Sequence, residues 1–253
     1  MKKVNYELML PHEMEEAVRS LPVAYVPMGS LEWHGKHLAL GNDTLKALGI
    51  LEHTAQKFGG VVLPPTYWGI VGKWHPWTFG SMAPDLFQRM CEYVFRSLAD
   101  VGFKVIIAVT GHDVKPQVDG MRAALDAVKA DFPIEGHVMM EGDLTSFGEH
   151  RMDHAAHWET AILMYLRPDC VDMHQIRNDD LTAAGQFNRW DSPGIGGRDP
   201  RNGNANKQLG EMLVNGMAEA IGKKATELLE SLRKSGRLSQ GPRPGGDPPA
   251  PRS

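Results

Sequence analysis

Apolar and polar residues follow one another along the chain in two rhythms. Some stretches are short, continuous apolar runs of strand length; in others apolar residues return every three or four positions. The first run, Leu21 to Met28, breaks at Gly29, and further runs cover Val61-Val-Leu-Pro64 and Lys104 to Thr110, while Ile134 to Met140 reads as another strand. Helical spacing marks residues 11–20, 84–101, Gln117 to Ala130, His154 to Leu166 and about Lys207 to Arg233. It also opens at Asp43, where Thr44, Leu45, Ala47, Leu48, Ile50 and Leu51 share a face that runs to a Gly59-Gly60 stop. The run ending at Thr110 is apolar throughout, as a strand covered on both faces must be. Strands alternating with helices predict right-handed βαβ units around a mainly parallel sheet, an α/β fold.

Long stretches outside both rhythms read as loops. Pro64 to Gly80 is rich in Gly, Pro and aromatics, including Trp68, Trp74, His75 and Trp77, and a loop of that length is more often functional than idle. Its tryptophans suit stacking on a flat substrate ring or shutting out water, and suit a subunit contact equally well. Lys73 here and Arg198 later are candidates to hold an anionic group, although such residues are mostly solvated surface. The segment between Thr182 and Asn206 is polar and glycine-rich. From Ser235 onward a Pro- and Gly-rich tail cannot bury enough apolar surface to order itself, leaving residues 1–234 as one domain and 235–253 as a disordered tail.

Composition narrows the partners. A chain of 253 residues with 42% hydrophobic and 23% charged residues is ordinary globular material. Its net charge of −4 offers no general attraction to nucleic acid or an anionic membrane, which favours a small-molecule partner. Two cysteines, Cys91 and Cys170, make no disulfide framework, the start lacks the apolar core of a secretory signal, and no apolar run approaches membrane-span length. A reducing cytoplasm is the expected setting.

Candidate chemistry gathers where the first strand ends. Residues 32–43 hold Glu32, His34, His37 and Asp43 between a strand and a helix, the edge at which open α/β sheets place their sites. Glu32 and His34, two apart, point the same way on extended chain. Taken singly, Glu32 and His34 are solvated loop residues and Asp43 an N-cap; taken together, an imidazole and two carboxylates favour a metal site. His112 closes the apolar strand at Thr110-Gly-His. Alone it is a hydrogen-bonded structural residue, but the same sheet edge puts it beside the first segment. Asp153-His-Ala-Ala-His-Trp-Glu-Thr160 adds His154, His157 and Glu159; five residues part His154 from Glu159, so both reach one cavity only if His154 precedes or starts the helix.

The residues resemble a family. Pro27-Met-Gly-Ser-Leu-Glu-Trp-His-Gly-Lys-His-Leu-Ala-Leu-Gly-Asn-Asp-Thr44 is similar to the long signature of the creatininase (creatinine amidohydrolase) family. Residues 153–160 resemble its H-A-G-x-x-E-T-S motif, with Ala161 in place of the serine, and Gly197-Arg-Asp-Pro200 resembles a later G-D-P element. The likeness spans roughly residues 20 to 225. It implies a three-layer α/β/α fold, often hexameric, and a hydrolase with two divalent metals, usually zinc or manganese, with iron also compatible. Carried over by position, Glu32 and His112 hold one metal and His34 the other, Asp43 bridges, Glu159 completes the second shell, and His154 is the catalytic residue.

The reaction implied is cleavage of a C–N bond in a small cyclic or linear amide by a metal-bridging hydroxide. The same site would serve hydrolytic ring opening of a cyclic ketone or diketone sugar derivative, deformylation, or peptide trimming in cofactor maturation. A reading from another class is a non-catalytic, metal-stabilised assembly protein, which would need closed ligand shells. The chain departs from the family at Asp113-Val114, where two glycines usually follow the strand-end His. Asp113 is a candidate substrate contact, extra ligand or, ranked first, cap of the next helix.

Overall fold

The computed structural model describes residues 3–71, 77–177 and 195–238. Four parallel strands form its sheet in the order β2-β1-β3-β4, with β1 at Val23–Met28, β2 at Val61–Val62, β3 at Val105–Thr110 and β4 at Glu135–Met140. Register runs from Val23 opposite Val105 to Met28 opposite Thr110, and from there to Met140, so three strands end at one edge. Each of the four stretches expected as strands became a strand one or two residues shorter than the stretch. The trimmed residues flank the ladders and still bond to them: the Pro22 carbonyl accepts from Lys104 and Val105, the Lys104 carbonyl from Glu135, and Leu63 N–H donates to the Tyr25 carbonyl.

Strand side chains alternate between two cores, which is why these strands read as unbroken apolar runs. Val23, Tyr25, Val105, Ile107 and Val109 face α2 (Asn42–Phe58), α5 (His157–Leu166) and α6 (Lys207–Lys234). Ala24, Val26, Met28, Ile106 and Ala108 face α1 (Pro11–Ser20), α3 (Pro84–Val101) and α4 (Lys115–Asp131). The architecture is the expected three-layer α/β/α sandwich. Pro27 sits within β1 without cost to the ladder: its carbonyl accepts from Thr66, and the missing N–H faces the side where β2 has already ended.

Helix boundaries follow the spacing, with α1 and α3 at the predicted ranges and α5 starting later than expected, at His157. That leaves His154 on the chain just before the helix, on a two-residue bridge with Gly196. Of the expected tail, Ser235 to Leu238 are described, and Arg237 pairs with Glu135 at 2.7 Å; residues 239–253 lie outside the described residues. No helix among the described residues is long and apolar enough to cross a membrane.

Where α5 crosses α6, backbone touches backbone. A Cβ on Gly210 would lie 1.9 Å from the Ala161 carbonyl oxygen. Gly210→Ala is expected to destabilise by about 1–3 kcal/mol through overpacking, although alanine is the better helix former. Gly80→Ala, in open space, should stay within about 0.5 kcal/mol of wild type; thermal unfolding of the two variants checks the contrast.

Candidate metal centre

The edge where β1, β3 and β4 end carries the site. β1 delivers Gly29 and Ser30, then a loop closed by the Glu32 N–H donating to the Leu40 carbonyl at 2.9 Å. That loop holds Glu32 and His34 and leads into α2, whose second residue is Asp43. β3 ends at Thr110-Gly111-His112. Close approach of α2 to this strand end requires Gly111, because a Cβ there would lie 2.1 Å from the Asp43 carbonyl oxygen.

The distances draw two donor sets. His112 Nδ1 lies 2.9 Å from Glu32 Oε2 and 3.0 Å from Asp43 Oδ2. His34 Nε2 lies 2.8 Å from Asp43 Oδ1 and 3.5 Å from Glu159 Oε2. Donor atoms of Glu32, Asp43 and His112 fall within 4.8 Å of one another, as do those of His34, Asp43 and Glu159. Each set can hold a cation, and Asp43 offers one oxygen to each. All five side chains are buried.

Tautomer control gives the clearest sign of what the sets are for. His34 Nδ1 lies 3.0 Å from the Glu32 carbonyl and His112 Nε2 lies 3.1 Å from the Ile70 carbonyl. A carbonyl only accepts, so each imidazole donates outward and turns its other nitrogen toward the carboxylates. Metal-binding histidines are oriented in this way. Burial pushes both imidazoles toward the neutral form, but Asp43 with Glu159 at His34, and Asp43 with Glu32 at His112, outweigh it and raise each to about 10. Asp43 resists burial through the same two imidazoles and stays well below the usual carboxylate range. The cavity attracts positive charge, which protons supply here and which divalent cations fit.

A second tier holds these residues. Ser30 Oγ donates to Asp43 Oδ2 at 2.7 Å. The Gln117 side chain accepts from Ile70 N–H and donates to the Thr110 hydroxyl, so it sets the carbonyl that orients His112. Asp153 carboxylate oxygens accept from the N–H groups of Trp158 and Glu159 and so anchor the first turn of α5. Ala155 is held at φ 53°, and its N–H donates to Glu159 Oε2 at 2.6 Å, a left-handed conformation costing about 1 kcal/mol for a residue with a Cβ. His37 supports from outside through the Thr160 hydroxyl at 3.0 Å.

His154 stacks on His34, ring centroids 4.3 Å apart, and donates Nε2–H to the Trp33 carbonyl at 3.0 Å. Burial, then the charge on His34, lowers its basicity below the ordinary imidazole value. One of its nitrogens is also within 4.8 Å of donor atoms of Glu32 and His34. Asp113 is exposed, and α4 is capped by Val114 without a side-chain bond; the expected capping role is corrected, because the helix starts one residue too late for Asp113 to reach it. Val114 has φ −128°, which any residue adopts, so glycine is dispensable there. Trp77 is exposed, as are Trp68 and Phe79, whose rings lie 5.2 Å apart. Trp74 and His75, with Lys73, lie outside the described residues. Arg198 is directed to Asn204 and Glu149 instead.

Sequence reasoning passed over Lys46 and Glu141, both buried beneath Glu159. The signals were present: Lys46 lies one helical turn after Asp43 on a face otherwise apolar, and Glu141 directly follows the end of β4.

Comparison with known proteins gives one family. The Creatininase model, described as creatinine amidohydrolase, matches residues 7–224. The chain is 29% identical over 162 residues to the mycofactocin precursor peptide peptidase of Mycolicibacterium smegmatis, a match covering 60% of each. It is 23% identical over 177 residues to the creatinine amidohydrolase of Pseudomonas putida, covering 61% of this chain and 68% of that one. A 3-dehydro-scyllo-inosose hydrolase of Thermotoga maritima is 26% identical over 115 residues, 43% of this chain and 36% of its own length. The match thus spans less than two thirds of the first and third of these relatives. A creatininase crystal structure superposes with a TM-score of 0.74 at 20% identity, covering 90% of this chain and 99% of that one. A manganese form of creatininase and a zinc–zinc form of a mutant creatininase share the fold, each at a TM-score of 0.71 and 19% identity, covering 92% and 93% of this chain and 99% of each of theirs.

Asp43→Ala is expected to abolish uptake of both metal equivalents, counted by plasma emission spectrometry on dialysed protein; loss of one alone would show that the carboxylate is not shared. Gly111→Ala should lower occupancy as well, since it drives the start of α2 away from His112.

Proposed function

This chain belongs to the creatininase family, and from that premise we propose that it is a dinuclear metal-dependent amidohydrolase. It would cleave a C–N bond in a small cyclic or linear amide. The observation that carries the reading is the orientation of His34 and His112, each anchored outward on a backbone carbonyl and aimed inward at the shared Asp43. Glu32, Asp43 and His112 would hold one divalent ion, and His34, Asp43 and Glu159 the other. Zinc or manganese suits these donors, iron also. When bound, the pair would supply Lewis acidity for the substrate carbonyl and acidify a water toward neutrality.

The chain's own residues supply the rest. Three protein donors per position leave room for substrate and water, which favours catalysis over a purely structural metal assembly. His154, whose basicity burial and then the charge on His34 lower, stacks on His34 and has a nitrogen within 4.8 Å of donor atoms of Glu32 and His34. It takes a proton from the attacking water and passes it to the departing nitrogen, which would otherwise leave as a costly amide anion. Trp77, and with it the 113 position, would meet the substrate from the exposed rim. By family resemblance the working unit is a homo-oligomer, a hexamer, and a reducing cytoplasm suits its free cysteines.

A second reading keeps the metals and exchanges the bond: hydrolytic ring opening of a cyclic ketone sugar derivative, favoured by the likeness to the Thermotoga maritima hydrolase. Amine release from a panel of lactams, formamides and short peptides, set against acid formation from cyclic diketones, separates the two. Chelator dialysis should remove all turnover and lower the melting temperature, with zinc or manganese restoring both. Turnover persisting in verified metal-free protein would reject the metal reading. His154→Ala should keep two metals and lose about 10²–10⁴ in turnover; unchanged turnover moves the proton transfer elsewhere, and loss of a metal makes His154 a ligand.

A further inference from the structure

Beneath the second donor set lies a cluster of charge that the reaction outlined above does not use. Lys46 is 1% exposed. Its Nζ lies 2.8 Å from Glu141 Oε1 and against Glu159 Oε1, with the Gly111 carbonyl at 3.5 Å. Trp158 Nε1 donates to the same Glu141 oxygen at 3.3 Å. Glu141 Oε2 is buried without a hydrogen-bond partner. An ammonium so deep is tolerated only with partners such as these two carboxylates.

The consequence falls on Glu159. One of its oxygens, Oε2, faces His34 and accepts from Ala155, while the other is taken by Lys46. Among the described residues no lysine or arginine forms an ion pair with Glu32 or Asp43; Lys46 acts through space on Asp43, which both sets share, but pairs directly only with Glu159 of the second set. A full positive charge a few ångströms from one cation position and farther from the other cannot affect both equally.

We propose that Lys46 is a positioning residue that restricts Glu159 to one-oxygen donation and makes the His34–Asp43–Glu159 position the weaker of the two, filled after Glu32–Asp43–His112. Glu141 tempers it, because its carboxylate draws Lys46 away from Glu159 and offsets its charge. The inference rests on the dinuclear reading and goes beyond it, assigning an order of loading and the residues that set it.

Removing the cation and removing its counter-ion should therefore act in opposite directions. Metal-free full-length protein is titrated with Zn²⁺ and, separately, Mn²⁺, by calorimetry with an independent metal count. Wild type should take two equivalents in steps about 10-fold or more apart. Lys46→Met, which keeps the length and removes the charge, should tighten the second step by roughly 10-fold, and Glu141→Gln should weaken it by a similar factor. In both variants the first step should move by less than about 3-fold.

Mere support of the fold would weaken binding in both variants, so shifts of the same sign, no shift, or a change confined to the first step overturns the proposal. Should Lys46→Met fail to accumulate as folded protein, Glu141→Gln decides alone, and an unchanged or tighter second step overturns it. Wild-type protein that takes up no second equivalent would overturn the dinuclear reading and this inference with it. Two equivalents without the opposed shifts would overturn the role of Lys46 alone.

Discussion

Asp43 has one carboxylate oxygen against His34 and the other against His112, and the fold is built to keep it there. The residue enters on the second position of α2, and α2 can reach the strand edge only because Gly111 presents no side chain to it. Ser30, from the end of β1, fixes the orientation of the carboxylate. Three segments far apart in sequence therefore converge on a group smaller than any of them. The parallel sheet makes the convergence possible, since it brings the ends of β1, β3 and β4 to one edge in register.

Much of this was legible in the chain. Strands covered on both faces announce themselves as unbroken apolar runs, which is why β1 and β3 stood out; β4, with Glu135, Gly136 and His137 only half-buried, carried a weaker signal. Glu32, His34 and Asp43 of the two donor sets were legible in the long motif at 27–44, His112 at its strand end and Glu159 in the motif at 153–160. Spacing also required His154 to precede or start its helix, and α5 begins three residues after it. Boundaries were less legible, because the ladder's backbone bonds, such as that from Val105 N–H to the Pro22 carbonyl, run past the strand ends and no side chain records where they stop.

What escaped was mostly support. Gln117 is an ordinary polar residue on a helix, and only the fold shows that it sets the Ile70 carbonyl that orients His112. Lys46 was hidden by an assumption: a lysine on an amphipathic helix is read as solvent-facing, whereas this one is buried by two carboxylates from β4 and α5 that sequence distance conceals. Asp113 erred the other way. Its type suits a cap, but the helix geometry assigns that place to Val114.

The exposed aromatic residues Trp77 and Phe79 are tied by the backbone to the metal-side loop, Phe79 N–H to the Leu31 carbonyl and Trp33 N–H to the Thr78 hydroxyl, yet none of their bulk enters the buried cage. Inheritance can therefore act on the two parts separately. The cage tolerates little drift, because each member is braced by another and by glycines that admit no Cβ. The rim, with Trp68, Trp77, Phe79 and Asp113 open to solvent, can be rewritten residue by residue while the reagent beneath stays intact. A lineage holding this cage is thus free to change its rim without rebuilding what lies beneath, and relatives named for a precursor peptide, for creatinine and for an inosose are what such freedom would leave behind.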